Sequence, residues 1–511
     1  MTGVADRTSN YYGRGAFVGG ENSRFLNNLR GVCERPLEEM RNGNLSLLRA
    51  RARDLYNNNP LAHGAIDTIV RRVSGAGIRW YPAMRDKSGS LALEANLELN
   101  DLWDTFSEDV SCRGDNMQSL ADQALLTLLR DGEVFLVECE NSDKEISIEW
   151  QLIEGDQVAE TAAQSDLKGF LASNVLEMGI EMTPAGRPVA YYFYDDGGDM
   201  WTRGVDRKVR RVEARFVRHW KLSYRFAAPR GIPLLVAAML LLADDEEYRH
   251  AALVQAWVES CFGVFFSTDD RLGLEADIGL PYQDTGGTSD AVTPATSEST
   301  VSVNQGLNNL PLEPGTMYTL DDKTRVTVAD PKAPSPNYGA FVSAVHRAIA
   351  AALGLSSLAV TRDLDGVSYS GGRQAENDDR VAYQAIALKM DAMILRPVYK
   401  RFTEYVYIVK RLLSAPSVLN TSAVTIQHPQ SREIDPVKQM KAYAEALRLK
   451  VMSPQRICRE LDGNFQETIR EISEAQTFAA AHGVSLESQS MEENAGKTPI
   501  ESDKEDTEDD D

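Results

Sequence analysis

Cysteine is scarce and never closely spaced. The five residues (Cys33, Cys112, Cys139, Cys261, Cys458) contain no CxxC pair, which argues against a zinc knuckle or a disulfide scaffold and fits a reducing compartment. Cysteines of this kind are expected to act as small buried hydrophobes. Long apolar runs are missing too. The longest, Leu234–Ala243, has ten residues, against the roughly 20 that a membrane span needs. The first ten residues, MTGVADRTSN, show no apolar core of a signal peptide. Basic clusters are also lacking: 54 Lys and Arg face 76 Asp and Glu, a net charge of −22. Holding nucleic acid by phosphate neutralisation requires the opposite balance. Weak contact with a nucleic acid that merely passes by remains compatible with it.

Signatures of chemistry are absent as well. Gly366-Val367-Ser368-Tyr369-Ser370-Gly371 has the GxxxxG spacing of a phosphate loop. The lysine that must follow is replaced by Gly372, and no Ser or Thr comes next to bind magnesium. Asp363 and Asp365 before Gly366 suggest a fragment of a calcium loop, but Thr361 and Gly372 occupy the first and last ligand positions. Ser370 lacks the GxSxG elbow of a hydrolase nucleophile. His63, His219, His250, His346, His428 and His482 are scattered, with no HxxxH or HExxH pair. No catalytic residue, cofactor site or metal site is expected.

What is present is patterning. Asn57-Asn58-Asn59-Pro60 is a helix start, with an Asn cap and a first-turn proline. Leu61, Ile66, Ile69, Val70 and Val73 then recur at helical spacing. Helices are predicted over Leu91–Trp103 and Leu120–Leu129. Strands are predicted over Glu133–Cys139 and over Ile146–Leu152, where apolar and polar side chains alternate as in a half-buried strand. Gly179–Met182 and Val189–Tyr194 flank a Pro-Ala-Gly-Arg-Pro turn and read as a hairpin, and Val212–Leu222 completes a β-rich block. The first 230 residues therefore read as an α+β domain.

Long helices follow. From Leu234 to about Phe262 neither Gly nor Pro interrupts the run, and its first half is apolar nearly all round, so burial on most sides is expected. Asp244, Asp245, Glu246 and Glu247 form an acidic patch inside it, read as a solvated face. In 284–306, nine of 23 residues are Ser or Thr, as in a mobile loop. A β-like segment at Met317–Val328 comes next. Ser335-Pro336 caps a helix ended by Gly354, and a Gly/Ser/Asp-rich connection covers Leu355–Gly372. The long helical pattern from about Arg373 to Leu413 should kink at Pro397. Two further helices, broken at Ser453-Pro454, are expected between Asp435 and Ala481. The last 25 residues carry eleven acids and two lysines, so the remainder of the chain still carries −13.

Several separated blocks together resemble the lambda-type portal proteins of tailed bacteriophages. They are Ala52-Arg53-Asp54-Leu55 with Asn58-Asn59-Pro60, Gly64-Ala65-Ile66 and Val73-Ser74-Gly75-Ala76-Gly77-Ile78; Asp131-Gly132-Glu133-Val134-Phe135; Gln151-Leu152-Ile153-Glu154 with Asp156; the hairpin Gly179-Ile180-Glu181 with Gly186-Arg187-Pro188-Val189-Ala190-Tyr191; Arg230-Gly231-Ile232-Pro233; Leu353-Gly354-Leu355; Tyr369-Ser370 with Arg373; and Asp435-Pro436 with Lys438. The chain departs from the family's usual Asn-Tyr-Ser-Ser-Ala-Arg at Ser368-Tyr369-Ser370-Gly371-Gly372-Arg373, where two glycines should loosen the loop. It also lacks the usual aromatic shortly before the Asp-Pro pair.

The resemblance implies an α+β portal-type subunit in a homo-oligomeric ring of about twelve copies, located in the virion at one capsid vertex. Double-stranded DNA passes through such a ring, and terminase, the major capsid protein and head–tail connector proteins are its partners. It implies a flexible arm (1–44), an α/β wing (45–230), a stem helix (231–262), a small clip (263–335), a second stem helix (336–354) and a channel loop (355–372). A long kinked helix returning to the wing (373–430), crown-like helices (431–482) and an acidic tail (483–511) would follow. Arg362, Asp363, Asp365, Ser368, Tyr369, Ser370 and Arg373 would then face the channel. The competing readings are an acidic capsid scaffold or adaptor, and a hydrolase whose catalytic residues meet only in three dimensions.

Overall fold

The computed structural model describes residues 45–75, 77–160, 169–171, 173–195, 208–223, 225–261, 338–410, 422–429, 436–461, 463 and 465–484. In chain order these form α1 (Leu45–Asn58), α2 (Pro60–Val73), β1 (Arg79–Pro82), α3 (Leu93–Glu108), α4 (Met117–Asp131), β2 (Glu133–Glu140), β3 (Ile148–Ile153), β4 (Val175–Glu177), β5 (Ile180–Met182), β6 (Pro188–Asp195), β7 (Lys208–Glu213) and β8 (Val217–Lys221). Then come α5 (Met239–Cys261), α6 (Tyr338–Leu353), α7 (Ser357–Thr361), α8 (Tyr369–Met390), α9 (Arg396–Glu404), β9 (Val424–Gln427), α10 (Pro436–Arg448), α11 (Pro454–Glu460) and α12 (Phe465–Ala481). The mixture of helix and antiparallel sheet is what the α+β reading expects. The arm, the 284–306 stretch, the Met317–Val328 segment and the acidic tail lie outside the described residues.

The chain divides into two compact units. The first comprises the chain up to Ile69, Ala124–Val137 and Leu152–Ala382; the second comprises Val70–Gln123, Glu138–Gln151 and the chain from Tyr383 onward. The first unit holds the sheet β4-β5-β6-β7, while β2 and β8 pair antiparallel from Glu133↔Lys221 to Val137↔Val217 within the order β3-β2-β8. Phe135, Val137, Ile153, Val158, Ile180, Tyr191, Phe193 and Val217 close one hydrophobic cluster. The second unit pairs β1 with β9 and builds its core from aromatic rings. Trp103 contacts Trp80, Phe106, Tyr399 and Phe402 at centroid distances of 4.5 to 5.7 Å.

Local signals explain most element ends. Asn59 Oδ1 accepts from the amides of Leu61 (3.1 Å) and Ala62 (3.2 Å), capping α2. Ser453 caps α11 with Pro454 in its first turn. Gly354 takes a left-handed φ of +69° after α6, as a helix stop requires.

Several expectations need correction. Strand β3 does not alternate: Ile148, Glu149 and Trp150 are all buried, because chain packs on both of its faces. The region beginning at Leu234 opens with a 3-10 turn, Leu234–Ala237, before α5 starts at Met239. Burial there is one-sided, with Leu235 and Leu242 buried and Leu240 79% exposed. Just ahead of Pro397, where a kink is expected, the helix takes a π turn, Asp391–Leu395, with the backbone right-handed helical at Arg396. The wider turn moves the preceding carbonyls and so makes room for the proline ring. Among the described residues between Asp435 and Ala481 there are three helices, not two. Of the cysteines, Cys112 is exposed and Cys139 and Cys458 are half-buried, because each lies at an element end or rim instead of in the core.

Phe402 has no exposed surface and packs 5.0 Å from Phe106 and 5.1 Å from Trp103. Phe402→Ala should therefore destabilise the second unit by about 3–5 kcal/mol, and Phe402→Leu by clearly less. Denaturant melts followed by tryptophan fluorescence measure the difference; equal losses for both variants would contradict it.

Candidate functional site

The blocks that stand far apart in the sequence meet in the first unit as one buried ionic network. Glu133, the first residue of β2, is fully buried. It receives Arg230 Nε at 2.9 and 3.0 Å and Arg230 Nη2 at 2.5 Å. The Gly231 amide (3.0 Å), His219 Nε2 (3.2 Å) and Arg49 Nη1 (3.4 Å) complete its shell. Arg230 also donates to the carbonyls of Met178 and Gly155, both at 3.0 Å, and pairs with Glu160 at 2.8 Å. Around this centre Arg49 holds Asp156 (2.8 Å) and Glu160 (2.9 Å). Arg53 grips Asp131 with two nitrogens (3.0 and 2.6 Å), reaches Glu154 at 3.1 Å and touches Asp156. Arg130 binds Asp131 and Glu154 from the other side.

Two glycines make the approach of the strands possible. Gly132 has φ +89°, and a Cβ on it would lie 2.2 Å from the Ile232 carbonyl carbon. A Cβ on Gly231 would lie 2.0 Å from the Gly132 carbonyl oxygen. The backbones of Asp131-Gly132-Glu133 and Arg230-Gly231-Ile232-Pro233 thus touch directly, which no larger residue permits.

Burial by itself would raise the Glu133 carboxyl; the Arg230 charge and the His219 and Arg230 bonds outweigh it and hold the group well below the carboxylate range. Burial lowers His219, and the raising effect of Glu133 does not offset it, so the imidazole is neutral and donates from Nε2. The His219 ring stacks on Phe135 at 4.2 Å. These groups are all engaged with one another, and the network clamps distant chain segments together.

The residues singled out from sequence lie elsewhere in the same unit. Arg362 ends α7 in the left-handed region with φ 56°. Asp363 Oδ1 accepts from the Asp365 amide at 3.0 Å, and both residues are exposed. Ser368 Oγ accepts from the Gly371 amide at 3.2 Å and lies 3.3 Å from Ser370 Oγ. Tyr369, Ser370, Gly371, Gly372 and Arg373 form the first turn of α8, so the two glycines do not loosen a loop. Residues 357–361 of the expected connection are helical as well. The irregular part is confined to 362–368.

The acidic patch splits. Asp244, Glu246 and Glu247 are exposed, but Asp245 is 3% exposed, 2.9 Å from Arg249 Nε and 3.3 Å from His346 Nε2. It faces α6 instead of solvent because position 245 falls on the same stripe as buried Leu242. Glu246 Oε2 accepts from Asn59 Nδ2 at 3.0 Å. The patch and the 362–368 segment do not form one cluster.

Sequence reading did not single out Arg49, His219 or Glu160 for any role. Arg49 sits in an ordinary helical stretch and His219 in a basic strand, and neither spacing hints at a partner more than 80 positions away. In the second unit His428 commits Nδ1 to the Val73 carbonyl and Nε2 to Asp391, each at 2.8 Å, which leaves no free base. Among the described residues no group of three or more His, Cys, Asp or Glu is placed to hold a metal, and no helix is long and apolar enough to cross a membrane.

The family described as "Phage portal protein, lambda family" matches residues 24–386. A "Probable portal protein" of Halomonas phage phiHAP-1 is 28% identical over 262 residues, 51% of this chain and 46% of that protein, so the match spans about half of the relative's length. Among solved structures, the "Neck of empty GTA particle computed with C6 symmetry" is 15% identical with a TM-score of 0.38, covering 85% of this chain and 94% of that one. The "Neck of native GTA particle computed with C12 symmetry" is 13% identical with a TM-score of 0.36, covering 83% and 92%.

Two outcomes follow from the network. A lowered native pKa for His219 means that the unfolded chain takes up its proton first as pH falls through 6.5. Stability is therefore full above that pH and declines below it. The depressed Glu133 adds a second loss below 4.5, its ordinary value. His219→Gln should flatten the decline of the melting temperature between pH 7 and 5.5 and leave the loss below pH 4.5 in place; an unchanged slope would count against the assignment. Gly231→Ala should abolish soluble folding, because its Cβ would lie 2.0 Å from the Gly132 carbonyl oxygen and 2.9 Å from Glu133 Cβ, neither of which is the end of a flexible side chain; a well-folded variant would refute the close contact.

Proposed function

Since the chain belongs to the lambda family of phage portal proteins, a family that matches it over residues 24–386, we propose that it forms a homo-oligomeric ring of about twelve copies at a single capsid vertex. In this reading DNA passes through the ring during packaging and ejection. Terminase, the major capsid protein and head–tail connector proteins dock on it, and the ring stays in the virion. It is a conduit and carries out no turnover of its own.

The charge balance of the chain supports this reading independently. Each phosphate paired with Lys or Arg adds affinity, and six to ten such pairs already give strong, salt-dependent binding. A chain with net −22, still −13 without its last 25 residues, surrounds a polyanion without holding it. The exposed segment 362–368, with Arg362, Asp363 and Asp365, is our candidate for the channel wall, together with Ser368, Tyr369, Ser370 and Arg373 at its α8 end. In the same reading α5 and α6 are the stem helices, 45–230 the wing and 431–482 the crown. The apolar side chains that α5 and α6 leave exposed, Leu240 (79%), Leu253 (70%) and Phe341 (52%), support packing against neighbouring copies.

Negative-stain microscopy and native mass measurement of the purified chain test the ring. Annular particles with a central hole are expected, and a compact single subunit at every concentration would defeat the proposal. Replacing Asp363 and Asp365 by lysine should impair DNA packaging while preserving the ring, since it puts cations where the polymer slides. Normal packaging by that variant would remove the segment from the channel wall.

A further inference from the structure

We propose that Cys112 and Cys139 are an oxidative modification site, at which a small-molecule disulfide of the glutathione class converts the two thiols into an internal disulfide. The new bond staples the turn at 111–115 to β2. Cys139 lies near the end of β2, and both residues belong to the second unit. Neither takes part in a disulfide in this structure. Their thiols are hydrogen-bonded to each other instead.

The backbone brings the two together. The Cys112 amide donates to the Trp150 carbonyl at 3.1 Å and the Trp150 amide to the Val110 carbonyl at 2.9 Å, so this stretch lies along β3. Strand β3 in turn is the neighbour of β2. Side-chain bonds fix the turn: Ser111 Oγ accepts from the amides of Arg113 (3.0 Å) and Asp115 (2.9 Å) and donates to Asp115 Oδ2 (2.9 Å). Glu149 of β3 completes the site. It accepts from Asn141 Nδ2 and Lys144 Nζ, each at 2.8 Å, and from the Cys112 thiol.

Exposure sets the order of events. Cys112 is exposed and Cys139 half-buried, so Cys112 meets the oxidant first. Its thiolate attacks one sulfur of the oxidant, and the other sulfur leaves as a thiolate that takes up the proton Cys112 gave up. Cys139 then attacks Cys112 Sγ and expels the second half of the oxidant, which takes the proton of Cys139. Two protein thiols become one disulfide and one small disulfide becomes two thiols, so protons and electrons balance. At rest the bond to Cys139, burial and the Glu149 charge all push the Cys112 thiol up and keep it protonated. The thiolate is the nucleophile, so exchange is slow, on the scale of minutes to hours. The site stays reduced where small thiols are abundant and closes where they are not. The loop closed by the bond leaves the second unit after Gln123 and returns at Glu138. Closing it restricts the unfolded chain and so raises stability.

Peptide mapping of the full-length chain under non-reducing conditions tests the site. After incubation with oxidised glutathione and alkylation of the remaining thiols, two of the five thiols should be found in a linked Cys112–Cys139 peptide, with Cys33, Cys261 and Cys458 alkylated. The oxidised chain should melt several degrees higher, and dithiothreitol should reverse the shift. Cys139→Ser should stop with one glutathione on Cys112 and no shift in melting. Cys112→Ser should give neither the linked peptide nor the shift. A wild-type chain that keeps all its thiols, ends as a mixed disulfide on Cys112, or links Cys112 to a cysteine of another chain would overturn the proposal.

Discussion

The contact between Glu133 and Arg230 is the constraint on which the first unit depends. Two opposite charges with no exposed surface are expensive to dehydrate, and such a pair is tolerated only when geometry is good and the remaining hydrogen-bonding capacity is used. Both conditions hold. Glu133 receives donors from Arg230, His219, Arg49 and the Gly231 amide, and Arg230 spends its other protons on two carbonyls and Glu160. Buried Arg49 and Asp131 link this centre to Arg53, Arg130, Glu154 and Asp156, which extend the same logic toward solvent, where partial exposure lowers the dehydration penalty.

Geometry follows from that contact. Gly132 and Gly231 let the start of β2 and the lead-in to α5 touch backbone to backbone, and Gly155 brings its carbonyl to Arg230. The clamp therefore fixes where the segment 230–233 leaves the β-rich part of the unit. An exit point tied by charges in a dry environment resists displacement better than one tied by surface pairs, which contribute little. Three of the blocks that resemble the family, Asp131-Gly132-Glu133, Glu154 with Asp156, and Arg230-Gly231-Ile232-Pro233, meet in this one joint.

Much of the fold is legible in the sequence because it is written locally. Asn59-Pro60, Ser453-Pro454 and Gly354 mark helix ends by side-chain capping or a left-handed backbone, and both act within a few residues. The hairpin around Gly186 is of the same kind. What escapes is written across distance. Asp245 looks like part of a solvated patch until α6 supplies His346 a hundred positions later. Arg49 and His219 carry no local mark of their partners. Gly371 and Gly372 suggest a loop, yet Ser368 caps them into the first turn of α8. The π turn ahead of Pro397 adds a detail to the helix that the proline alone does not specify. Of the candidate site, the residues of 362–368 and the acidic patch were visible; the ionic joint was visible only as scattered blocks with no stated reason to meet.

A double-mutant cycle on Glu133 and Arg230, measured by denaturant unfolding, tests the central claim most directly. With Glu133→Leu and Arg230→Met, each single change should cost about 3–5 kcal/mol by stranding a buried charge, while the double variant should be no less stable than the better single one. Single effects that simply add, with a coupling term near zero, would contradict the account.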